Sequence, residues 1–266
     1  MPALASIHIY PLKSGAPLPC AQATVEPRGL QHDRRWMVVD ARGKFLTGRQ
    51  QPRLTLIRAA PADEGLHLAA PGMPPLAVAA PPPDGARLPA TLWNDALAPR
   101  LADAAAHAWL SELLGLDCRL VYMDTACRRG VRPDYARAGD EVSFADGFPL
   151  LLISQAALDA LNARLARPVP MLRFRPNLVA ADTTPHAEDG WRRIRIGAAE
   201  FDVVKPCTRC VFTTVDFERG AFAADGEPLK TLASYRRTSA GVTFGQNLIP
   251  RALGTIRVGD AIEVLA

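Results

Sequence analysis

Short apolar stretches with a two-residue period recur at both ends of this 266-residue chain. Near the N-terminus, ASIHIYPL alternates, and RRWMVVD is an apolar run that leads through the turn DARGK into FLTGR. Beyond residue 170 the pattern returns in WRRIRIGAAEFDVVK and in TIRVGDAIEVL. Because side chains two apart in a strand share a face, these stretches predict strands. The chain should therefore fold into two β-rich halves.

A few helices are expected between and around these strands. Residues 101–115 have an apolar face ended by Gly115, and Ser154 can cap the helix that follows it. A short helix should begin near Pro228, since proline is tolerated in a first helical turn. Residues 60–89 are dense in proline and glycine, which suits edge strands joined by turns, with a mobile loop as the alternative. The predicted face of the first helix consists of Leu101, Ala105, Ala108, Trp109 and Leu113.

Composition is that of an ordinary water-soluble protein, 48% hydrophobic and 22% charged, without a long apolar run or a basic leader. We expect a cytoplasmic protein with no membrane segment. The net charge of +4 comes from scattered arginines, which is too weak and dispersed for nucleic acid and suits a small anionic ligand. Five cysteines, an odd number, do not indicate a disulfide framework.

The segment KPCTRCVFTTVD places Cys207 and Cys210 three residues apart, next to Lys205 and Arg209. A structural zinc site would need a second pair of ligands, and the other cysteines are single and far apart. A redox dithiol would sit at a helix start, whereas the residues VFTTV predict a strand. A single thiolate, favoured by the adjacent cations, is a soft metal ligand, and a buried apolar role is the fourth alternative. The pair alone does not decide among these.

A second segment, RFRPNLV, places Arg173, Arg175 and Asn177 two residues apart. If the segment is extended, these polar groups converge on one face while Phe174 and Leu178 face the core. Guanidinium groups match phosphate in a bidentate way, although a solvated strand face is the alternative. Walker, GxGxxG, GxSxG and HExxH motifs are absent, so the sequence carries no signature of the corresponding nucleotide, hydrolase or zinc-protease chemistries.

Taken together, YPLKSG, GLQHDRRWMVVD, FLTGRQQPRL, RFRPNLV, EDGW, KPCTRCVFTTVD, FGQN and GTIRVGD occur in the order of similar segments in MOSC-domain proteins. The chain resembles the group with an N-terminal MOSC β-barrel, which includes amidoxime-reducing components and bacterial YcbX-type proteins. The resemblance implies a mainly β fold with flanking helices (α+β), a MOSC-type β-barrel core and a β-barrel-like N-terminal domain. The expected boundaries are 1–118 for the N-terminal domain and 119–266 for the cofactor-binding MOSC domain.

The resemblance also implies a bound molybdenum cofactor, a molybdopterin, with Cys210 as the thiolate ligand of the metal. Cys207 would be a neighbour and not a ligand. Asp146 would approach the metal from the other side and is a candidate proton relay, so Cys210 and Asp146 are the expected catalytic residues. The expected cofactor-binding residues are Lys13, Ser14, Arg34, Asp146, Gly147, Phe148, Arg175, Asn177, Thr208, Arg209, Cys210 and Asn247.

By the same resemblance, the activity would be molybdenum-dependent reduction of N-hydroxylated compounds (hydroxylamines, amidoximes and N-hydroxylated bases), a detoxification reaction. No cysteine set for an iron–sulfur cluster is present, so electrons should come from a separate protein of the ferredoxin or flavin reductase type. We expect a monomer. The alternative is a carrier of the molybdenum cofactor or of sulfur without turnover of its own.

Overall fold

The computed structural model describes all 266 residues and is mainly β, with three α-helices at the flanks of the sheets, as predicted. The strands of the first half are β1 Ala3–Ile9, β2 Leu18–Cys20, β3 Gln22–Glu26, β4 Gly29–Leu30, β5 Trp36–Asp40, β6 Arg58–Ala62, β7 Gly65–Ala69, β8 Leu76–Ala79, β9 Ala90–Leu92, β10 Asp95–Leu97 and β11 Arg100–Leu101. Helix α1 follows at Ala104–Leu114.

The second half contains eleven strands and two helices. They are β12 Cys118–Tyr122, β13 Leu150–Ser154, α2 Gln155–Asn162, β14 Leu178–Ala181, β15 Arg193–Ile196, β16 Ala199–Thr208, β17 Val215–Asp216, β18 Ala221–Phe222, α3 Leu229–Tyr235, β19 Arg237–Thr238, β20 Gly241–Ala252, β21 Gly254–Arg257 and β22 Ile262–Val264. Short 3-10 helices span Pro52–Leu56, Pro133–Tyr135, Met171–Phe174, Ala187–Gly190 and Val211–Thr214. No helix is both long and apolar enough to traverse a bilayer.

A nine-stranded sheet, in the order β2-β1-β14-β13-β20-β16-β15-β22 with β19 on β20, forms the largest layer. Strands β13 and β14 run parallel, which requires a crossover connection, and α2 provides it. Helix α2 begins where Ser154 accepts a hydrogen bond from the backbone N–H of Ala157, the cap that the sequence predicted. Helix α3 begins directly after Pro228, also as predicted.

Strands β1 to β4, within the first thirty residues, belong to sheets that also contain strands of the second half. Strand β1 pairs with β14, and β3 pairs with β21. Leu4 and Ile7 are fully buried in the same apolar cluster as Phe201 and Leu248. The loop after β1 therefore passes from the larger sheet into the N-terminal half, and β12, which starts at Cys118, pairs back onto β5. The domain boundary at residue 118 stays a prediction.

A second apolar cluster fills the N-terminal half, where β6, β7 and β8 form an antiparallel meander against α1. The proline-rich residues 60–89 thus contain edge strands joined by turns. In α1, Trp109 and Leu113 are buried as predicted, but the predicted face was partly wrong. Ala106 and Leu110 are buried, whereas Ala105 and Ala108 are exposed, because α1 begins only after its cap Asp103 and presents a rotated face to the meander.

Candidate cofactor site

A cavity of about 410 Å³ lies between the two halves of the chain. Segments of the N-terminal half supply one wall, and the other consists of residues within β16 and β20 together with the segments next to β13, β14 and β16. All twelve residues predicted to bind a cofactor line this one cavity: Lys13, Ser14, Arg34, Asp146, Gly147, Phe148, Arg175, Asn177, Thr208, Arg209, Cys210 and Asn247.

The lining is strongly cationic. Asp146 is its single acidic residue, against eight cationic residues: Lys13, Arg34, Arg49, Arg132, Arg173, Arg175, Lys205 and Arg209. Of these eight, Arg49, Arg175, Lys205 and Arg209 make no ion pair with any carboxylate, although twenty ion pairs occur in the structure. Unpaired guanidinium groups in a concave site attract anions, phosphate above all.

Lys13 and Asp146 form an ion pair across the cavity. Lys13 follows β1 and is only 5% exposed, and its Nζ donates to the carbonyl oxygen of Phe144 and to Oδ1 of Asp146, each at 2.7 Å. Burial lowers the pKa of Lys13, although Asp146 opposes that shift. The side chain of Asp146 is 68% exposed at the cavity wall, and partial desolvation there would raise its pKa, but the charges of Lys13, Arg49 and Arg34 outweigh that effect and hold the pKa below its usual range. Asp146 is therefore ionised at neutral pH.

Arg34 and Asn177 are held together by a buried polar network. Nη1 of Arg34 donates to Oδ2 of Asp33 at 2.5 Å and to Oδ1 of Asn177 at 2.9 Å. The side-chain amide of Asn177 donates to the carbonyl oxygen of His8, and its Oδ1 also accepts from the backbone N–H of Leu151. Asn177 is thus largely occupied within the protein, and it positions Arg34 at the cavity wall.

Arg175 enters the cavity from a left-handed backbone conformation (φ 56°) after the 3-10 helix Met171–Phe174. The RFRPN segment is therefore not extended, yet Arg173, Arg175 and Asn177 all line the cavity, and Phe174 and Leu178 are fully buried as expected. Tertiary contacts override the extended pattern, because Nη1 of Arg175 donates to the carbonyl oxygen of Gly15 and its guanidinium lies 4.1 Å from the ring centre of Tyr10. Burial lowers the pKa of Arg175 to about 10.

Strand β16 ends at Thr208, and Cys210 caps a 3-10 helix, Val211–Thr214, instead of preceding a full strand. The strand predicted for VFTTV was thus wrong, since only Val215 and Asp216 pair as β17. Threonine hydroxyls explain the turn: Oγ1 of Thr213 donates to the carbonyl oxygen of Cys210 and Oγ1 of Thr214 donates to that of Val211. Such local hydrogen bonds compete with strand pairing.

The two cysteines differ in their surroundings. Both are free thiols. Cys207 packs against the apolar cluster around Phe174, and its Sγ accepts a hydrogen bond from Nη1 of Arg209 at 2.9 Å. Both cysteines line the cavity, but the Sγ of Cys210 has no hydrogen-bond partner. Nε of Arg209 is buried without an acceptor. Cys210 and Arg209 therefore present the unsatisfied sulfur and nitrogen atoms of the segment.

The remaining predicted residues also lie at the cavity wall. Ser14 has φ 64°, and its Oγ accepts from the backbone N–H of Gly48 at 3.1 Å. The side chain of Asn247 in β20 donates to the carbonyl oxygen of Lys205. Gly147 leaves open space where a Cβ would be, and Phe148 packs edge-on against Tyr135. These groups shape the wall and contribute few free polar atoms.

Sequence comparison gives the family. Residues 1–117 match the model of the MOSC N-terminal β-barrel domain, and residues 139–263 match that of the MOSC domain. The chain is 36% identical to mitochondrial amidoxime-reducing component 1 of Mus musculus, over 98% of this chain and 82% of the relative. The chain belongs to the amidoxime-reducing component family of MOSC-domain proteins. The Homo sapiens component 1 is 33% identical (98% and 82% covered) and the Rattus norvegicus component 2 is 34% identical (97% and 82% covered).

In this MOSC-domain protein, several lining residues lie outside the predicted set, among them Arg49, Trp93 and Phe212. Arg49 could have been predicted from the sequence, because it lies in the segment FLTGRQQPRL, which resembles a segment of MOSC-domain proteins. Trp93 carries a weaker signal, an aromatic residue in the turn between two short strands. Phe212 lies over Gly48, where a Cβ would come within 2.2 Å of its ring.

The donor set of the cavity suits an anionic group that carries a phosphate and one soft metal. The guanidinium groups without a carboxylate partner and the buried Nε of Arg209 can donate hydrogen bonds to an anion. The free thiol of Cys210 can bind a soft metal. No group of three or more His, Cys, Asp or Glu side chains comes together in a geometry that could hold a metal ion.

Proposed function

We propose that this protein is a molybdenum-cofactor-dependent oxidoreductase that reduces N-hydroxylated compounds to the corresponding amine, amidine or base. Its relatives are named for amidoxime reduction. The observation that carries the proposal is the convergence, on one cationic cavity, of residues from distant parts of the chain around the unpartnered thiol of Cys210.

In this proposal Cys210 is the thiolate ligand of molybdenum. Arg34, Arg175 and Arg209 supply the positive charge for the pterin phosphate, and Asn177 keeps Arg34 in place. The remaining residues proposed to bind the cofactor are Lys13, Ser14, Asp146, Gly147, Phe148, Thr208 and Asn247, all of which line the cavity. The cofactor, when bound, supplies the oxygen-removing chemistry, while the protein supplies orientation and electrostatics.

The overall reaction consumes two electrons and two protons. The N–O bond of the substrate breaks, one proton joins the departing hydroxyl group to give water, and the other forms a new N–H bond on the nitrogen. Asp146 is ionised and hydrogen-bonded to Lys13, so it can relay a proton only in concert with the Lys13 ammonium. We propose that this pair delivers protons at the cavity wall, and that a separate ferredoxin or flavin reductase type of protein delivers the electrons.

The deciding experiment compares wild type with Cys210→Ser and Cys207→Ser, each made in a host that synthesises the cofactor. Metal analysis and pterin fluorescence should find molybdenum in wild type and in Cys207→Ser, and a large loss in Cys210→Ser. Stoichiometric zinc without molybdenum in wild type would overturn the proposal. Equal molybdenum retention and activity in Cys210→Ser would overturn the ligand assignment.

Turnover separates the reductase from the alternative, a carrier of the cofactor or of sulfur. With a reduced viologen as the electron donor, the reductase should convert benzamidoxime to benzamidine. A carrier would hold the pterin and fail to reduce benzamidoxime or hydroxylaminopurine.

A further inference from the structure

Trp93 and Arg49 form a stacked pair in the cavity wall. Trp93 occupies the two-residue turn between β9 and β10, where Leu92 pairs with Asp95. Its side chain lines the cavity and the residue is 36% exposed. The guanidinium carbon of Arg49 lies 4.3 Å from the centre of the Trp93 ring. Neither Trp93 nor Arg49 is among the residues proposed to bind the cofactor.

The backbone of Trp93 is in an unfavourable conformation. Its φ of 56° lies in the left-handed region, which costs an L-residue roughly 1–2 kcal/mol, and tight hairpin turns of this kind prefer glycine or asparagine. Phe45, which follows β5 in the chain, packs against the indole of Trp93, with the two ring centres 4.7 Å apart. An aromatic residue held in a strained turn at a cavity wall indicates a functional constraint.

Arg49 is the other half of the pair, and its guanidinium is free. It makes no ion pair and no side-chain hydrogen bond, while its backbone N–H donates to Oγ1 of Thr47. Its charge nevertheless reaches Asp146, whose pKa it helps to lower. The indole of Trp93 therefore holds the planar guanidinium of Arg49 flat against one face. The other face of the guanidinium and its N–H donors are not used by the protein.

We propose that Arg49, held flat by Trp93, is the residue that selects planar, neutral N-hydroxylated amidines and bases and disfavours the cationic amidine product. The conjugated group of the substrate stacks on the free face of the Arg49 guanidinium, which completes a stack of indole, guanidinium and substrate. Loss of the N-hydroxy oxygen turns a weakly basic amidoxime into a strongly basic amidine, which is protonated at neutral pH. The Arg49 charge attracts the π system of the neutral substrate and repels the cationic product.

This inference rests on the proposed reductase activity, and the experiment separates the two. The variants are Arg49→Gln, Trp93→Phe and, as the matched control, Arg53→Gln, which removes an exposed arginine that has no carboxylate partner and does not line the cavity. The KM values of benzamidoxime, which has a conjugated ring, and of hydroxylamine, which has none, are measured with a reduced viologen. The inhibition constant of benzamidine and the quenching of tryptophan fluorescence by benzamidoxime are measured on the same proteins. The Trp93→Phe variant shows how much of the quenching comes from Trp93.

In Arg49→Gln, the KM of benzamidoxime should rise about three- to tenfold, the size of one cation–π contact, and by more than that of hydroxylamine. Benzamidine should become a stronger inhibitor, and benzamidoxime should quench the wild-type fluorescence more than that of Trp93→Phe. Arg53→Gln should match wild type in the KM ratio and in inhibition.

Equal KM changes for both substrates, or unchanged inhibition by benzamidine, would overturn the inference while the reductase activity stands. If wild type reduces neither compound, the proposed function fails. The fluorescence titration then decides on Arg49 and Trp93 alone: the same quenching in wild type, Arg49→Gln and Trp93→Phe would overturn their assignment.

Discussion

The Nζ of Lys13 lies 2.7 Å from Oδ1 of Asp146, although 133 positions separate the two residues in the sequence. The pair spans the cavity from the loop after β1 to the loop before β13, so it joins the two halves of the chain at the candidate site. A buried ammonium without its carboxylate is costly, whereas removing both partners can cost much less.

Asp146→Asn should therefore destabilise the fold by about 1–3 kcal/mol, because it removes the negative charge beside the Lys13 ammonium and leaves that ammonium only neutral oxygen acceptors, among them the carbonyl oxygen of Phe144. Urea denaturation of the variant and of the double variant Lys13→Met/Asp146→Asn tests this. The double variant should regain part of the lost stability. A double variant less stable than Asp146→Asn would contradict the explanation.

Gly48→Ala should destabilise the protein by about 1–3 kcal/mol, since the new Cβ would come within 2.2 Å of the Phe212 ring. The damage should concentrate where the loop of the N-terminal half meets the 3-10 helix after Cys210. Gly190→Ala is the matched control, because a Cβ there meets nothing within 4 Å. Thermal melting that ranks both variants alike would show that the Gly48 contact is unimportant.

Cofactor-free protein should bind inorganic phosphate, because Arg175 and Arg209 make no ion pair with a carboxylate and Nε of Arg209 has no acceptor. Arg175→Met should weaken that binding about tenfold or more, the loss expected for a charge-assisted hydrogen bond. Isothermal titration calorimetry measures it, with Arg237→Met as an exposed arginine control outside the cavity. Equal phosphate affinity in both variants would refute a specific anion site at Arg175.

Glu188 provides a test by pH. Its side chain is fully buried, Oε1 accepts from the backbone N–H of Ser154, Oε2 has no partner, and burial raises its pKa. A carboxyl whose folded-state pKa is raised is protonated in both states at low pH, and it destabilises the fold as pH rises above the unfolded value.

Glu188→Gln keeps an acceptor for Ser154 and removes the buried charge. Its melting temperature should exceed that of wild type at pH 7.5, by about 2–4 °C for each kcal/mol gained, and the difference should shrink toward pH 4. Differential scanning calorimetry across this range is the measurement. A difference that grows toward low pH would have the opposite sign and would rule out the explanation.

Local signals in the sequence predicted much of the fold. The alternating runs at both ends became strands, the proline-rich stretch became a meander, and Ser154 capped α2 as expected. These features depend on neighbours along the chain, which is why they can be read from residue order. The cavity lining was predicted mostly through resemblance to a family, since the twelve residues share no local pattern.

Other features needed the tertiary structure. VFTTV has the composition of a strand, but two threonine hydroxyls bond back to carbonyl oxygens and make a 3-10 turn. Arg175 leaves the extended conformation because it packs on Tyr10 and donates to Gly15, 160 positions away. Contacts between distant segments outweigh the small differences in local preference.

By itself, the sequence determined the chemical inventory: a cysteine pair, many arginines, few lysines and a mainly β pattern. Which charges are neutralised was decided only by the tertiary structure. Arg34 is paired with Asp33 and Lys13 with Asp146, while Arg49 and Arg175 face the cavity without a carboxylate. The physical reason is that electrostatic interactions depend on distances between atoms, and the packing of strands from distant parts of the chain sets those distances.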